Sequence, residues 1–287
     1  MRILFCTDGS KISFNALKNF SNWVKHTDVD TICIIDWSFL PQDVNIEDSG
    51  FAEACANIAD NILNYAADII AELKFISKEQ IKHCGAAAES IVEQINRQKY
   101  DFVVMGSHGK KGLQKWLGSV SSTVTGSNPS SSFISKHKNE GKKLLITIDG
   151  SSNAAQTIEK HISLLDLSDK EIYLCMVNEE PDFLFLDGNI DTNQLVQVKK
   201  NQEEYAAQKT AALKEFLQNI GLKIAKTAIL RGIPAQEILN YAKINEIDLI
   251  ITGAKNMSKT VSFFTGSVSR KVLENTNSDV MILKNDI

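Results

Sequence analysis

"RILFCTDGSKISFNAL", residues 2–17, opens with a short apolar run, breaks it at Asp8-Gly9-Ser10, and continues with apolar residues at helical spacing. The same pattern returns as "KLLITIDGSSNAAQTI" at 143–158, with Asp149-Gly150-Ser151 at the break. Two more blocks repeat in the same order. "CGAAAESIVEQINRQKYDFVVMGSHG" at 84–109 returns as "RGIPAQEILNYAKINEIDLIITGAKN" at 231–256, and "LGSVSSTV" at 117–124 returns as "TGSVSRKV" at 265–272. The offset drifts only from 141 to 148 residues, which marks a tandem duplication. The junction falls in the polar stretch "KHKNEGK" at 136–142, so two domains are expected, 1–138 and 139–287.

Each unit alternates strand and helix. "RILFCT", "TICIID", a weaker segment at about 80–84, "DFVVMG" and "SSFIS" read as the strands of the first unit. "KLLITI", "EIYLCMV", "LKIAKTAIL", "DLIITG" and "DVMIL" are their counterparts. Between them, Phe14, Leu17, Phe20 and Val24 share a helical face. Ile58, Ile62, Ala66, Ile69 and Leu73 mark a longer helix, with 193–220 as its copy. Further helices are expected over 87–99 and 235–245, and from Gly118-Ser119 and Gly266-Ser267 onward. Strands alternating with helices imply right-handed crossovers and a doubly wound parallel sheet in each unit. Ligands of such sheets sit outside the carboxyl ends of the strands, where strand order reverses.

Composition narrows the function classes. The chain has 287 residues, enough for two cores, with 43% hydrophobic and 23% charged residues, an ordinary soluble balance. A net charge of −4 argues against sequence-blind nucleic-acid binding, which needs a basic surface. The five cysteines include no CxxC pair, so neither a zinc knuckle nor a thioredoxin-like pair is readable. Cys6, Cys33 and Cys175 lie in apolar runs and read as small core residues. No apolar run is long enough for a membrane span, and no signal-peptide pattern precedes "ILFCT". The setting expected from this is cytoplasmic.

"DFVVMGSHGKKGLQKWLGSVSS", residues 101–122, carries the chemistry. An apolar strand ends at Gly106, passes through Gly109, Lys110, Lys111 and Lys115, and meets Gly118-Ser119-Val120-Ser121 at a helix start. First-turn amides and glycines without Cβ atoms suit a phosphate, and serine hydroxyls can cap the helix or bind the same anion. Neither GxxxxGK[ST] nor GxGxxG fits either copy. Turn and cap roles alone would also explain these residues, as an Asx turn would explain Asp8 and Asp149.

The chain resembles the universal stress protein family in its tandem form. The resemblance rests on the Asp-Gly-Ser strand ends, the strand-end glycine loop and the block order, and covers nearly the whole sequence. It implies two five-stranded Rossmann-like parallel sheets of order 3-2-1-4-5, related by a pseudo-twofold axis and paired through their last strands. It implies ATP, with magnesium or manganese on the phosphates, bound by Gly106, Gly109, Gly118, Ser119, Val120 and Ser121 beside Asp8. In the second unit the matching set is Gly253, Asn256, Gly266, Ser267, Val268 and Ser269 beside Asp149. Both copies depart from the family's Gly-x2-Gly-x9-Gly-Ser/Thr loop. The first has eight residues between Gly109 and Gly118, and the second has Asn256 for the middle glycine.

Two readings of function stay open. One is a stress-response regulator or sensor that binds an adenine nucleotide in at least one unit and acts on unidentified protein partners. The other is a nucleotide-free scaffold whose pockets are vestigial or hold an apolar ligand. The run Phe183-Leu184-Phe185-Leu186 favours the second; Trp37 and Phe39 end the second strand, where the resemblance implies the adenine pocket, and read either as a wall for the base or as plain packing. His108 has no partner histidine, Ser10 and Ser151 lack a nucleophile elbow, and no general base is assignable, so at most slow ATP hydrolysis is expected. "SSFIS" is unusually polar for a joint between two units, which leads to the expectation of a loose interface. Pairing of whole chains into homodimers is left open.

Overall fold

The computed structural model describes residues 1–36, 50–108, 117–137, 139–179, 192–254 and 266–285. The first half runs β1 (Arg2–Thr7), α1 (Lys11–Ser21), β2 (Asp28–Ile35), α2 (Phe51–Glu72), β3 (Ile76–Cys84), α3 (Ala87–Arg97), β4 (Phe102–Gly106), α4 (Ser119–Ser127) and β5 (Ser131–Ser135). The second half repeats the series. It comprises β6 (Lys143–Ile148), α5 (Ser152–Ile162), β7 (Glu171–Asn178), α6 (Thr192–Asn219), β8 (Ile224–Arg231), α7 (Pro234–Ile244), β9 (Leu249–Gly253), α8 (Ser267–Asn275) and β10 (Asp279–Leu283).

Each half has the strand order 3-2-1-4-5, but the two do not form separate sheets. All ten strands join into one sheet, β3-β2-β1-β4-β5-β10-β9-β6-β7-β8. Every neighbour is parallel except β5 and β10, which pair antiparallel with Phe133 opposite Met281. Backbone hydrogen bonds drive the merger, because an unpaired fifth strand would leave its amides and carbonyls at an edge.

Strand alternation sorts the side chains into layers. Ile3 and Phe5 point to the side covered by α1, α2, α5 and α6, where one apolar core runs through both halves. Leu4 and Cys6 point to the other side, under α3 and α4, and Leu145 and Tyr173 do the same under α7 and α8. The expected α2 stripe faces the core except at its start: Ala66 and Ile69 are buried and Ile62 and Leu73 pack against the core, but Ile58 is 49% exposed, and Cys55, Ala59 and Leu63 are the buried residues of the first turns. The spacing locates the helix and its inner face, but the exact width of that face depends on the angle at which the helix crosses the sheet.

The joint is also tighter than its polarity suggested. Ser131, Ser132 and Ser135 are all at most 2% exposed, and each has hydrogen-bond partners. His161 Nδ1 lies 2.8 Å from the Thr157 carbonyl, so it carries the proton, and Nε2 accepts from the Ser131 hydroxyl at 2.8 Å. Ser131 Oγ in turn accepts the Lys284 amide at 3.0 Å. At the pseudo-symmetric position Asp279 accepts the Lys136 amide at 2.8 Å and side-chain amides of Asn19 and Asn139 at 2.9 and 2.7 Å. Burial pushes the Asp279 carboxyl up to about 7 despite these donors. A hydrogen-bonded polar seam of this kind favours one pairing of the strands.

Candidate functional site

The order 3-2-1-4-5 reverses direction between β1 and β4, and both strands end at the same rim. The turn after β1 is built locally. Asp8 Oδ1 accepts the Ser10 amide at 3.0 Å, Gly9 takes φ +77°, and Ser10 caps α1 by accepting the Ser13 amide at 3.3 Å. Thr7 and Ser13 hydroxyls meet at 2.8 Å, tying the strand end to the first turn of the helix. Asp8 therefore fills the turn role, while its position at the rim leaves it facing a pocket.

After β4, the chain returns to the same point. Gly118 donates its amide to the Ser107 carbonyl at 2.6 Å, closing the glycine loop at its base. Ser121 Oγ donates to the Gly106 carbonyl at 2.8 Å, which holds the start of α4 against the end of β4. No side chain caps α4, so its first-turn amides keep their positive end toward the rim. Gly106 has a packing reason: a Cβ there would lie 3.2 Å from the Ile12 carbonyl carbon and the Ser13 nitrogen. At Gly118 a Cβ would lie 3.2 Å from the Ser107 oxygen.

Between these elements lies a pocket with about 550 Å³ of empty space, its open mouth included. Its floor is apolar, made by Ile34, Met105 and Ile91 with Cys6, and its rim is polar, made by Asp8, His108 and Ser121. His108 Nδ1 lies 3.0 Å from the Ser107 hydroxyl. Burial raises the Cys6 thiol well above the ordinary value, so this wall is neutral. An apolar pocket with a few polar groups at its mouth suits a small ligand with an apolar part.

Of the residues singled out from sequence, the pocket brings together Asp8, Gly106, Val120 and Ser121, with Gly118 and Ser119 at the adjacent helix start. Gly109, the three loop lysines, Trp37, Phe39, Asn256 and the Phe183–Leu186 run lie outside the described residues. Sequence reasoning missed Cys6, Thr7, Ile34, Ala87, Ile91 and Met105 as pocket walls. Strand alternation could have flagged Cys6, Ile34 and Met105, once the side bearing α3 was known.

The second rim repeats the turn but not its surroundings. Asp149 Oδ1 accepts the Ser151 amide at 2.8 Å, Gly150 takes φ +79°, and Ser151 caps α5. Ser269 Oγ donates to the Gly253 carbonyl at 2.6 Å and also meets Thr252 Oγ1 at 3.1 Å. Gly266, Ser267 and Val268 begin α8, again with no side-chain cap. Here, however, Tyr205 of α6 donates its hydroxyl to the Gly150 carbonyl at 2.8 Å. Its ring carbon Cε1 lies 2.8 Å from where a Gly150 Cβ would stand. Asp149 is exposed, whereas Asp8 is half-buried.

Comparisons with known proteins agree with this architecture. A universal stress protein of Methanocaldococcus jannaschii, MJ0531, is 28% identical over 153 residues, covering 53% of this chain and 88% of the relative. Universal stress protein YxiE of Bacillus subtilis is 26% identical over 156 residues, covering 50% of this chain and 98% of its own length. Each relative thus corresponds to one copy of the repeat. The crystal structure of a universal stress protein from Archaeoglobus fulgidus shares the fold over 99% of this chain and 96% of its own, with a TM-score of 0.67 at 20% identity. The Universal stress protein family model matches twice, at residues 1–130 and 141–284. With both halves matched, the chain belongs to the universal stress protein family.

Proposed function

We propose that this chain is a cytoplasmic stress-response regulator that binds an adenine nucleotide, ATP, in the first-half pocket. The observation that carries the reading is the pocket's place and make-up: it opens at the strand-order reversal between β1 and β4, with an apolar floor and a polar mouth. The residues fit such a ligand. Ile34, Met105 and Val120 offer a wall for a flat base, and Asp8 stands where a ribose hydroxyl would find an acceptor. The start of α4 presents the Ser119 and Val120 amides to a phosphate, and the close packing at Gly118 keeps that approach free of a side chain. Bound ATP would supply a planar base and an anionic tail, with magnesium or manganese on its phosphates. Asp8, Gly106, Gly118, Ser119, Val120 and Ser121 are the binding residues of this reading, with Gly109 from the loop. The regulatory output follows from ordering the rim, which changes the surface offered to partners.

The predominance of apolar residues in the pocket favours a second reading, a small apolar ligand in a nucleotide-free regulator. Native mass spectrometry of freshly purified protein, followed by denaturation and identification of any released molecule, separates the two. Retained adenine nucleotide, or calorimetric binding of added ATP and magnesium, supports the first. A bare mass with no heat of binding overturns it, and a released apolar compound establishes the second.

A further inference from the structure

We propose that Cys55 and Cys84 form a peroxide-oxidisable dithiol that closes to a disulfide across the contact between α2 and β3. The pair is assembled by the sheet. Cys84 is register-paired with Ile35, and paired residues of parallel strands point to the same side. Ile35 packs with Cys33, Ala59 and Leu63 on the α2 side. The residues two and four places before Cys84 confirm its direction. Lys82 reaches Asp60 of α2 at 2.9 Å, and Gln80 Nε2 donates to the Leu63 carbonyl at 3.3 Å.

The helix descends as the strand ascends. Two strand residues advance about 6.6 Å, or roughly four helix residues at 1.5 Å each, so Cys84 falls level with residues 55–57 of α2. Cys55 is the inward residue of that turn, 8% exposed and one turn before the buried Ala59. Burial raises the Cys84 pKa, and the neighbouring Cys55 thiol raises it further. The second half supports the geometry. Arg231, the repeat counterpart of Cys84, reaches Glu203 of α6, so this strand-end position touches the covering helix in both halves. Among the described residues no cysteine is in a disulfide, and Cys6, Cys33 and Cys175 are buried, while Cys84 is partly exposed.

The step balances with hydrogen peroxide as oxidant. The Cys84 sulfur attacks one peroxide oxygen, the O–O bond breaks, and water leaves with the thiol proton, giving a sulfenic acid. Cys55 then attacks that sulfur, the S–S bond forms, the S–O bond breaks, and a second water carries away the Cys55 proton. Two thiols lose two electrons to one peroxide. Because the Cys84 pKa is raised, the rate should climb with pH. Closure would pin the β3–α3 connection, whose Ala87 lines the pocket only three residues after Cys84.

The test reads thiols rather than nucleotide, so it succeeds or fails independently of the ligand. Reduced full-length protein is treated with hydrogen peroxide and weighed intact, then digested after glutamate, which separates Cys55, Cys84 and Cys33 into different peptides. A loss of about 2 Da mapped to a Cys55–Cys84 linkage is expected. It should be reversed by dithiothreitol, absent in Cys55→Ser and Cys84→Ser, and retained in Cys33→Ser. Oxygen added at Cys84 with Cys55 still alkylatable, a bridge between other cysteines, or no mass change each overturns the proposal.

Discussion

The two halves fold alike and end in different rims. β1 and β6 finish in the same Asp-Gly-Ser turn, with Gly9 at φ +77° and Gly150 at φ +79°. Yet Gly106 has helix backbone 3.2 Å from its missing Cβ, while nothing among the described residues lies within 4 Å at Gly253. Tyr65 of α2 meets Phe14 edge-on at 4.8 Å, whereas in the second half Tyr205, which takes the place of Ile58, leans over the Gly150 turn and bonds its carbonyl. Met105 in the pocket floor becomes Thr252, which is spoken for by Ser269. Duplication copied the backbone path, and substitution at a few rim positions then set the two rims apart.

The largest test of this asymmetry lies at the seam, where Lys136 and Lys284 are repeat counterparts. Lys284 is 5% exposed and donates to the Thr125 and Asn128 carbonyls, both at 2.6 Å. Burial lowers its pKa to about 7, while Lys136, beside Asp279, is lowered only to about 8. Between the folded value and 10.5 the unfolded chain binds more protons, so the contribution of Lys284 to stability is full above pH 10.5 and is lost as pH falls toward 7. Lys284→Met should remove a slope of up to about 1.4 kcal/mol per pH unit, measured by urea unfolding from pH 7 to 10. Lys136→Met should remove less, over the narrower window above pH 8. Equal slopes would break the comparison. Asp279 runs the other way: its pKa is raised to about 7, so its contribution is lost as pH climbs from 3.8 through 7, and Asp279→Asn should flatten that limb.

Next in size is the glycine pair. Gly106→Ala drives a methyl into backbone that cannot move away, and should cost about 1–3 kcal/mol in denaturant titration. Gly253→Ala should be neutral, or stabilising by about 0.5 kcal/mol. Ligand affinity sharpens the contrast further. Asp8→Ala should weaken ATP binding by roughly tenfold, about 1.4 kcal/mol, with Asp149→Ala unchanged; calorimetry checks both. Equal losses would mean that both rims bind. The smallest effect is expected for Tyr205→Phe. It removes one half-exposed hydrogen bond to Gly150 and should lower stability by about 0.5 kcal/mol, with Tyr65→Phe in the first half silent.

Much of this molecule was legible as a pattern. The repeat blocks, the strands ending at Gly106 and Gly253, and the helix starts at Ser119 and Ser267 all appear where spacing put them, because each is dictated by residues within one turn or one strand. The failures have a common cause. Ile58 has the spacing of a stripe whose later members, Ala66 and Ile69, are buried, and only the crossing angle of α2 leaves it exposed. "SSFIS" reads as a strand but as a loose joint, because its serines lack partners in sequence; His161, Asn19 and Asn128 supply them in space.

By itself, the sequence determined the duplication, the order of elements and the two Asp-Gly-Ser turns, since periodicity, glycine φ and capping act over a few residues. The tertiary structure alone decided the rest. It merged ten strands into one sheet through β5 and β10, buried Asp279 and Lys284 at the seam, and brought Ile34, Met105 and Ile91 to one floor. Those outcomes depend on which groups far apart in the chain satisfy each other once water is excluded, and on how strands and helices line up across the sheet.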